Sequence, residues 1–114
     1  MSQSPQVGPT EPFVRVDVQT ARKMIDESKP QLIDVREPNE YAEGHIPGVT
    51  LVPLNTLLSR PTEFIKEDNI LFICAMGQRS ALACEMAAAL GMERVYNLEG
   101  GTNAWAKAGL PIER

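Results

Sequence analysis

A segment of seven residues, Cys74–Ser80, holds the side chains of this sequence that are best suited to chemistry. Its cysteine directly follows the apolar run Ile70–Ile73, and a helical pattern continues from Ser80. Ligands of open α/β sheets bind beyond the carboxyl ends of strands, where the N–H groups of a following helix are directed. We therefore predict that backbone N–H groups surround the Cys74 sulfur and favour its anionic, nucleophilic form.

The residues after the cysteine are predicted to form a cradle for an anion. Gly77 allows the backbone to turn tightly, and Arg79 supplies positive charge. This loop contains no histidine to act as a base, so the backbone has to ionise the thiol. A pKa of about 8.5 leaves about 3% thiolate at pH 7, and a pKa about two units lower gives about three-quarters. The predicted cradle residues are Ala75, Met76, Gly77, Gln78 and Arg79.

Short apolar segments that alternate with helical ones must position this loop. A parallel sheet with helices on both faces explains that alternation, so the predicted fold class is α/β. Ile70–Ile73 is entirely apolar and is expected to be a central strand. The predicted strands are Phe13–Val16, Leu32–Val35, Val49–Leu54, Ile70–Ile73 and Val95–Leu98. Helices are predicted from Asp17 to Ser28, from Pro38, from an Asn55 cap to Pro61, from Ser80 to Leu90 and from Thr102 to Ala108.

The composition is that of one ordinary globular domain. The chain has 114 residues, 43% of them hydrophobic, and a net charge of −4. We predict a flexible tail over residues 1–12 and a domain over residues 13–114. The acidic charge without a basic stripe argues against nucleic acid, and no apolar run is long enough to span a membrane. The amino terminus lacks a signal-peptide pattern, which favours a cytoplasmic location. Two cysteines and one histidine form no cluster, so no metal or other cofactor is expected.

Four ordered motifs resemble those of the rhodanese family. Residues 74–80 fit that family's active-site pattern Cys-x-x-Gly-x-Arg-Ser/Thr, and the resemblance runs from about residue 13 to residue 112. The other three motifs are Leu32–Glu37, Glu43–Gly48, and Asn97–Gly101 with Trp105. The resemblance implies a five-stranded parallel sheet whose second and fourth strands are neighbours. Asp34 and Arg36 would then lie beside the Cys74 loop and, with Ser80, support it.

The activity implied by the resemblance is sulfur transfer through a Cys74 persulfide. The donor would be thiosulfate or a persulfide, and the acceptor a small thiol, cyanide or a protein. Family members that use thiosulfate efficiently tend to have basic residues in the loop, where this chain has Ala75 and Met76. We therefore predict weak use of thiosulfate and a persulfide as the physiological donor.

Two other functions remain open at this point. A sulfur carrier or non-catalytic interaction module would use the uncharged entrance at Ala75 and Met76 to contact a protein. A cysteine phosphatase or arsenate reductase would use the same fold. Related phosphatases have five residues between cysteine and arginine, whereas this chain has four between Cys74 and Arg79. The shorter loop favours a single sulfur atom over phosphate.

The remaining polar and sulfur-containing residues have simpler interpretations. Cys84, in an alanine-rich helix, is predicted to fill the core, with a resolving thiol as the alternative. His45 is expected to make structural hydrogen bonds. The sequence leaves open whether Arg79 faces the anion or pairs with a carboxylate such as Asp34 or Glu40.

Overall fold

A computed structural model describes residues 11–114, and most of the predicted tail lies outside this range. Its centre is a five-stranded sheet in which every pairing is parallel, with the order β1-β5-β4-β2-β3. This confirms the predicted α/β fold class and the neighbouring second and fourth strands. The strands are β1 (Val14–Val16), β2 (Gln31–Asp34), β3 (Thr50–Leu51), β4 (Ile70–Ile73) and β5 (Val95–Leu98).

Helices cover both faces of the sheet. They are α1 (Val18–Glu27), α2 (Pro38–Glu43), α3 (Leu54–Ser59), α4 (Pro61–Phe64), α5 (Gln78–Ala89) and α6 (Gly101–Lys107). The side chains of a strand alternate between faces. Accordingly, Ile70 and Phe72 of β4 pack into one hydrophobic cluster, and Leu71 and Ile73 pack into another on the opposite face. All four are fully buried, as expected for a central strand.

Local chemistry explains where the elements begin and end. Asp17 caps α1 as predicted, and its carboxylate accepts a hydrogen bond of 2.8 Å from Thr20 N. The expected third strand is only two residues long, because the chain turns after it and Pro53 directly precedes α3. The predicted Asn55 cap is therefore wrong, since Asn55 lies inside α3. Pro61 begins a further short helix that the sequence analysis did not anticipate.

The parallel register brings the ends of three strands together. Asp34 at the end of β2 lies opposite Ile73 of β4, and Phe72 of β4 lies opposite Asn97 of β5. Cys74, the next residue after β4, shares its face of the sheet with Phe72 and therefore with Asn97. Asp34 and Ile73 point to the opposite face. None of the helices within residues 11–114 is long and apolar enough to cross a lipid bilayer.

Candidate active site

Cys74 directly follows the central strand and is almost completely buried, with 1% of its surface exposed. The chain then turns back over the sulfur, and Gly77 N donates a hydrogen bond of 3.1 Å to Sγ. Gly77 has a φ of +105°, a conformation that favours glycine. Helix α5 starts directly after Gly77, two residues before the predicted start at Ser80. The loop that was predicted as a cradle therefore includes the first residues of α5.

Hydrogen bonds to the sulfur outweigh the effect of burial on its ionisation. Burial raises the pKa of Cys74 and is the largest single influence on it. The Ser80 hydroxyl and the N–H groups of Ser80, Gly77 and Met76 act in the opposite direction, because each stabilises the thiolate. Their combined effect places the pKa of Cys74 below the ordinary value for a cysteine. This direction is the one that the sequence analysis predicted from the loop.

Helix α6 fixes the beginning of the loop through backbone contacts. Thr102 N donates to the carbonyl oxygen of Cys74 at 2.8 Å, and Asn103 N donates to that of Ala75 at 3.1 Å. Both carbonyl groups are thus engaged by α6, while the N–H groups of later loop residues face the sulfur. Gly101 permits this approach, because a Cβ atom there would lie 2.3 Å from the Cys74 carbonyl oxygen.

Arg79 pairs with Glu40 of α2, which answers the question that the sequence left open. The guanidinium group donates two hydrogen bonds to the carboxylate, at 2.7 and 2.8 Å. The side-chain hydrogen bonds from Arg79 lower the pKa of Glu40 to about 2, against the opposing effect of burial. The same contact raises the pKa of Arg79 above its usual value. The positive charge of the loop is therefore already matched by a carboxylate.

Asp34 and Arg36 form a buried ion pair at the end of β2. The Arg36 guanidinium donates to Asp34 through Nε and Nη2, and Nη2 also donates to the Gly44 carbonyl oxygen at 2.8 Å. The Arg36 side chain is 6% exposed and the Asp34 side chain is 0% exposed, so this ion pair is buried rather than solvated. The hydrogen bond from Arg36 to Gly44 joins the two ends of α2, and α2 carries Glu40. Within residues 11–114, neither side chain hydrogen-bonds to the Cys74 loop.

Asn97 is a site residue whose role the sequence analysis did not identify. It is fully buried in β5, and its Nδ2 donates to the Gly77 carbonyl oxygen at 3.0 Å. Its Oδ1 lies within hydrogen-bond distance of the Ser80 hydroxyl, which also lies 3.3 Å from the Cys74 sulfur. The available signal was one amide in an otherwise apolar strand segment, which indicates a buried polar group that needs partners.

A protein-family model described as the rhodanese-like domain matches residues 17–108. The chain belongs to the rhodanese-like family. A protein from Allochromatium vinosum named "Sulfurtransferase" is 37% identical to it over 92 residues, which are 81% of this chain and 86% of that protein. "Thiosulfate sulfurtransferase GlpE" of Vibrio cholerae is 28% identical over 101 residues, which are 89% of this chain and 95% of that protein. A rhodanese-related protein from Thermoplasma volcanium has a similar crystal structure, with a TM-score of 0.77, 28% identity, and coverage of 89% and 98% of the two chains.

The other predicted residues of this rhodanese-like domain occupy distinct environments. Met76 and Gln78 are on the outer side of the loop, and Met76 is 59% exposed. Cys84 is fully buried in the core, and burial raises the pKa of its thiol above the ordinary value. His45 stacks on Tyr41, and its Nδ1 is 3.0 Å from the Tyr41 carbonyl oxygen, which is a structural arrangement. Residues 11–114 contain no cluster of three or more potential metal ligands.

Proposed function

We propose that this rhodanese-like domain is a sulfurtransferase that carries sulfane sulfur on Cys74. The single observation that supports this most is the environment of the Cys74 sulfur. It is a buried thiol whose ionised form receives hydrogen bonds from the Ser80 hydroxyl and from several backbone N–H groups. These groups stabilise an anionic sulfur without a basic side chain. Sulfur transfer needs this property, because the thiolate is the nucleophile.

The proposed reaction has two displacement steps. The Cys74 thiolate attacks the outer sulfur of the donor, a new S–S bond forms, and the donor's S–S bond breaks. The leaving group takes the electron pair as sulfite from thiosulfate, or as a thiolate from a persulfide. In the second step, an acceptor thiolate or cyanide attacks the outer sulfur of the Cys74 persulfide. The Cys74 thiolate is the leaving group of this step, so the same hydrogen bonds support both halves of the cycle.

Charge at the loop favours a persulfide over thiosulfate as the donor. Thiosulfate is a dianion and needs nearby cations, but Arg79 is already paired with Glu40. The adjacent entrance residues, Ala75 and Met76, are uncharged. We therefore expect thiosulfate to bind weakly. Its KM should be about 1 mM, which is the upper end of the usual range. The reacting group of a persulfide carries at most one negative charge, so it needs fewer cations at the loop.

The two alternative functions make different demands on the site. A phosphatase has to bind a phosphate dianion, and the short loop with its arginine paired to a carboxylate is poorly suited to that. A sulfur carrier that serves one protein partner is favoured by a specific observation, the 59% exposure of the Met76 side chain within the loop. Turnover of small donors and acceptors would distinguish an enzyme from such a carrier.

Intact mass spectrometry tests the proposal directly. The protein is incubated with thiosulfate or with glutathione persulfide, alongside Cys74→Ser and the matched variant Cys84→Ser. We expect the wild type and Cys84→Ser to gain one sulfur atom, about 32 Da, and Cys74→Ser to gain none. A failure of both donors to load the wild type would contradict the proposal. Hydrolysis of p-nitrophenyl phosphate that depends on Cys74 would instead support the phosphatase function.

A further inference from the structure

The Ser80 hydroxyl lies between two groups that both accept hydrogen bonds. Its oxygen is 3.3 Å from the Cys74 sulfur and also within hydrogen-bond distance of Asn97 Oδ1. All three residues are buried, with Ser80 and Asn97 fully inaccessible to solvent. A hydroxyl group has only one proton to donate. At any moment, therefore, Ser80 can donate to the sulfur or to the amide oxygen, but not to both.

The orientation of the Asn97 amide makes this a true competition. Its Nδ2 donates to the Gly77 carbonyl oxygen at 3.0 Å, which turns Oδ1 toward Ser80. A reversed amide would place Oδ1 against the Gly77 carbonyl oxygen, and the two acceptors would repel each other. Among residues 11–114, Ser80 is the only donor that reaches Asn97 Oδ1. When Ser80 turns to the sulfur, this buried oxygen loses its partner, which costs free energy.

We propose that Asn97 is a positioning residue that sets the direction of the Ser80 hydroxyl according to the charge on Cys74. When Cys74 is a thiol, its S–H group donates to Ser80 and the hydroxyl donates to Asn97. When Cys74 is a thiolate, the hydroxyl turns and donates to the sulfur. The amide oxygen thus gives the hydroxyl an alternative partner and makes the thiol form more stable than it would be beside Ser80 alone.

The Ser80 hydroxyl would change partners in the same way during sulfur transfer, an extension that rests on the function proposed above. In a Cys74 persulfide the inner sulfur is neutral, and the negative charge lies on the outer sulfur. Ser80 then returns to Asn97, and it turns again to the inner sulfur as that atom leaves as a thiolate. The buried charge thereby receives a hydroxyl donor only while it is present.

A double-mutant cycle on the ionisation of Cys74 tests the proposal without any sulfur donor. The full-length protein, Asn97→Leu, Ser80→Ala and the double variant are alkylated with iodoacetamide across pH 5–10, and adduct formation at Cys74 is followed by mass. Leucine has the same branched arrangement of four side-chain heavy atoms as asparagine, but no oxygen to accept a hydrogen bond. With Ser80 present, we expect Asn97→Leu to lower the pKa of Cys74 by about half a unit to one unit. This corresponds to about three- to tenfold faster alkylation below the pKa.

The result in the Ser80→Ala background decides the question. There we expect Asn97→Leu to produce no such lowering, because no hydroxyl is left to redirect. Equal shifts in both backgrounds, or no shift in either, would overturn the proposal, since an effect of Asn97 that does not pass through the Ser80 hydroxyl is the same with and without that hydroxyl. Thr102→Val is the matched control. It removes a buried hydroxyl that contacts the Cys74 carbonyl oxygen at 3.3 Å and not the sulfur, and its effect should not depend on Ser80.

A second variant keeps the test decisive if Asn97→Leu does not fold. Asn97→Asp retains the side-chain shape and supplies a stronger acceptor for the Ser80 proton. The proposal requires this variant to raise the pKa of Cys74 more in the presence of Ser80 than in the Ser80→Ala background. The comparison of backgrounds removes the direct repulsion between the new carboxylate and the thiolate. An equal rise in both backgrounds would contradict the proposal, while persulfide loading measured separately would report on the proposed function alone.

Discussion

Replacement of Gly101, the first residue of α6, by alanine should displace the Cys74 loop and destabilise the protein. A Cβ atom at this position would lie 2.3 Å from the Cys74 carbonyl oxygen and 2.5 Å from the Ala75 carbonyl carbon. Real Cβ contacts are essentially never shorter than 3.0 Å, so the two segments have to separate by at least about 0.7 Å. The neighbours are backbone atoms, which cannot rotate away as a side chain does.

The cost follows from the contacts that this separation breaks. The hydrogen bond from Thr102 N to the Cys74 carbonyl oxygen is 2.8 Å long, and the one from Asn103 N to Ala75 is 3.1 Å long. A separation of about 0.7 Å weakens both, at a cost of about 1 kcal/mol each. The positive φ of Gly101 adds about 1 kcal/mol for a residue with a Cβ atom. We expect Gly101→Ala to reduce the free energy of unfolding by about 3 kcal/mol.

Gly109 supplies the matched control at the other end of the same helix. Its φ of +79° is also left-handed, but a Cβ atom there would have no neighbour within 4 Å. Gly109→Ala should therefore cost only the backbone contribution, about 1 kcal/mol. Urea denaturation of the three proteins gives both free energies. The reasoning is refuted if Gly101→Ala is no less stable than Gly109→Ala. Impaired persulfide loading is expected for Gly101→Ala, because the loop that holds the sulfur is displaced.

Three further predictions concern charges around the site. Glu40→Gln should reduce the free energy of unfolding at pH 7 by about 1 kcal/mol, a figure reduced for the partial exposure of the pair with Arg79. Because the folded pKa of Glu40 is lowered from 4.5 to about 2, this difference should be present above about pH 4.5 and disappear as the pH falls toward 2 in urea titrations. Arg36→Met should cost about 3–5 kcal/mol in the same assay by leaving the Asp34 carboxylate buried and unpaired, and Arg36→Met with Asp34→Leu should cost less than Arg36→Met alone. Met76→Lys should lower the KM for thiosulfate in a sulfite-release assay, with an unchanged KM counting against the proposed shortage of cations.

Local patterns were sufficient to predict most of the fold. The uninterrupted apolar run of β4 identified the central strand, and Asp17 correctly marked the start of α1. The third strand and α3 were misjudged, because the apolar run Val49–Leu54 does not show where a neighbouring strand stops pairing. The structure limits β3 to Thr50–Leu51, and Pro53 precedes α3.

The site was predictable to the extent that its parts are continuous in sequence. Cys74 and Gly77 belong to one loop, whose pattern is visible in the sequence. The partner of Arg79 is Glu40, which is 39 residues away, and the choice between carboxylates depends on how α2 packs. Asn97 was not recognised for the same reason, because its contacts with Ser80 and Gly77 exist only once β5 lies beside β4.

The close approach of α6 to the loop also limits how this protein can change over evolution or by design. The backbone of residues 101–103 touches the carbonyl groups of Cys74 and Ala75, and Asn97 contacts the loop again at Gly77. The loop is therefore held by contacts at two places that lie twenty or more residues later in the chain. An insertion that widens it for a larger ligand would shift the loop away from at least one of these places. A change of ligand size at this site thus requires coordinated changes in two distant segments, which makes a single-step conversion unfavourable.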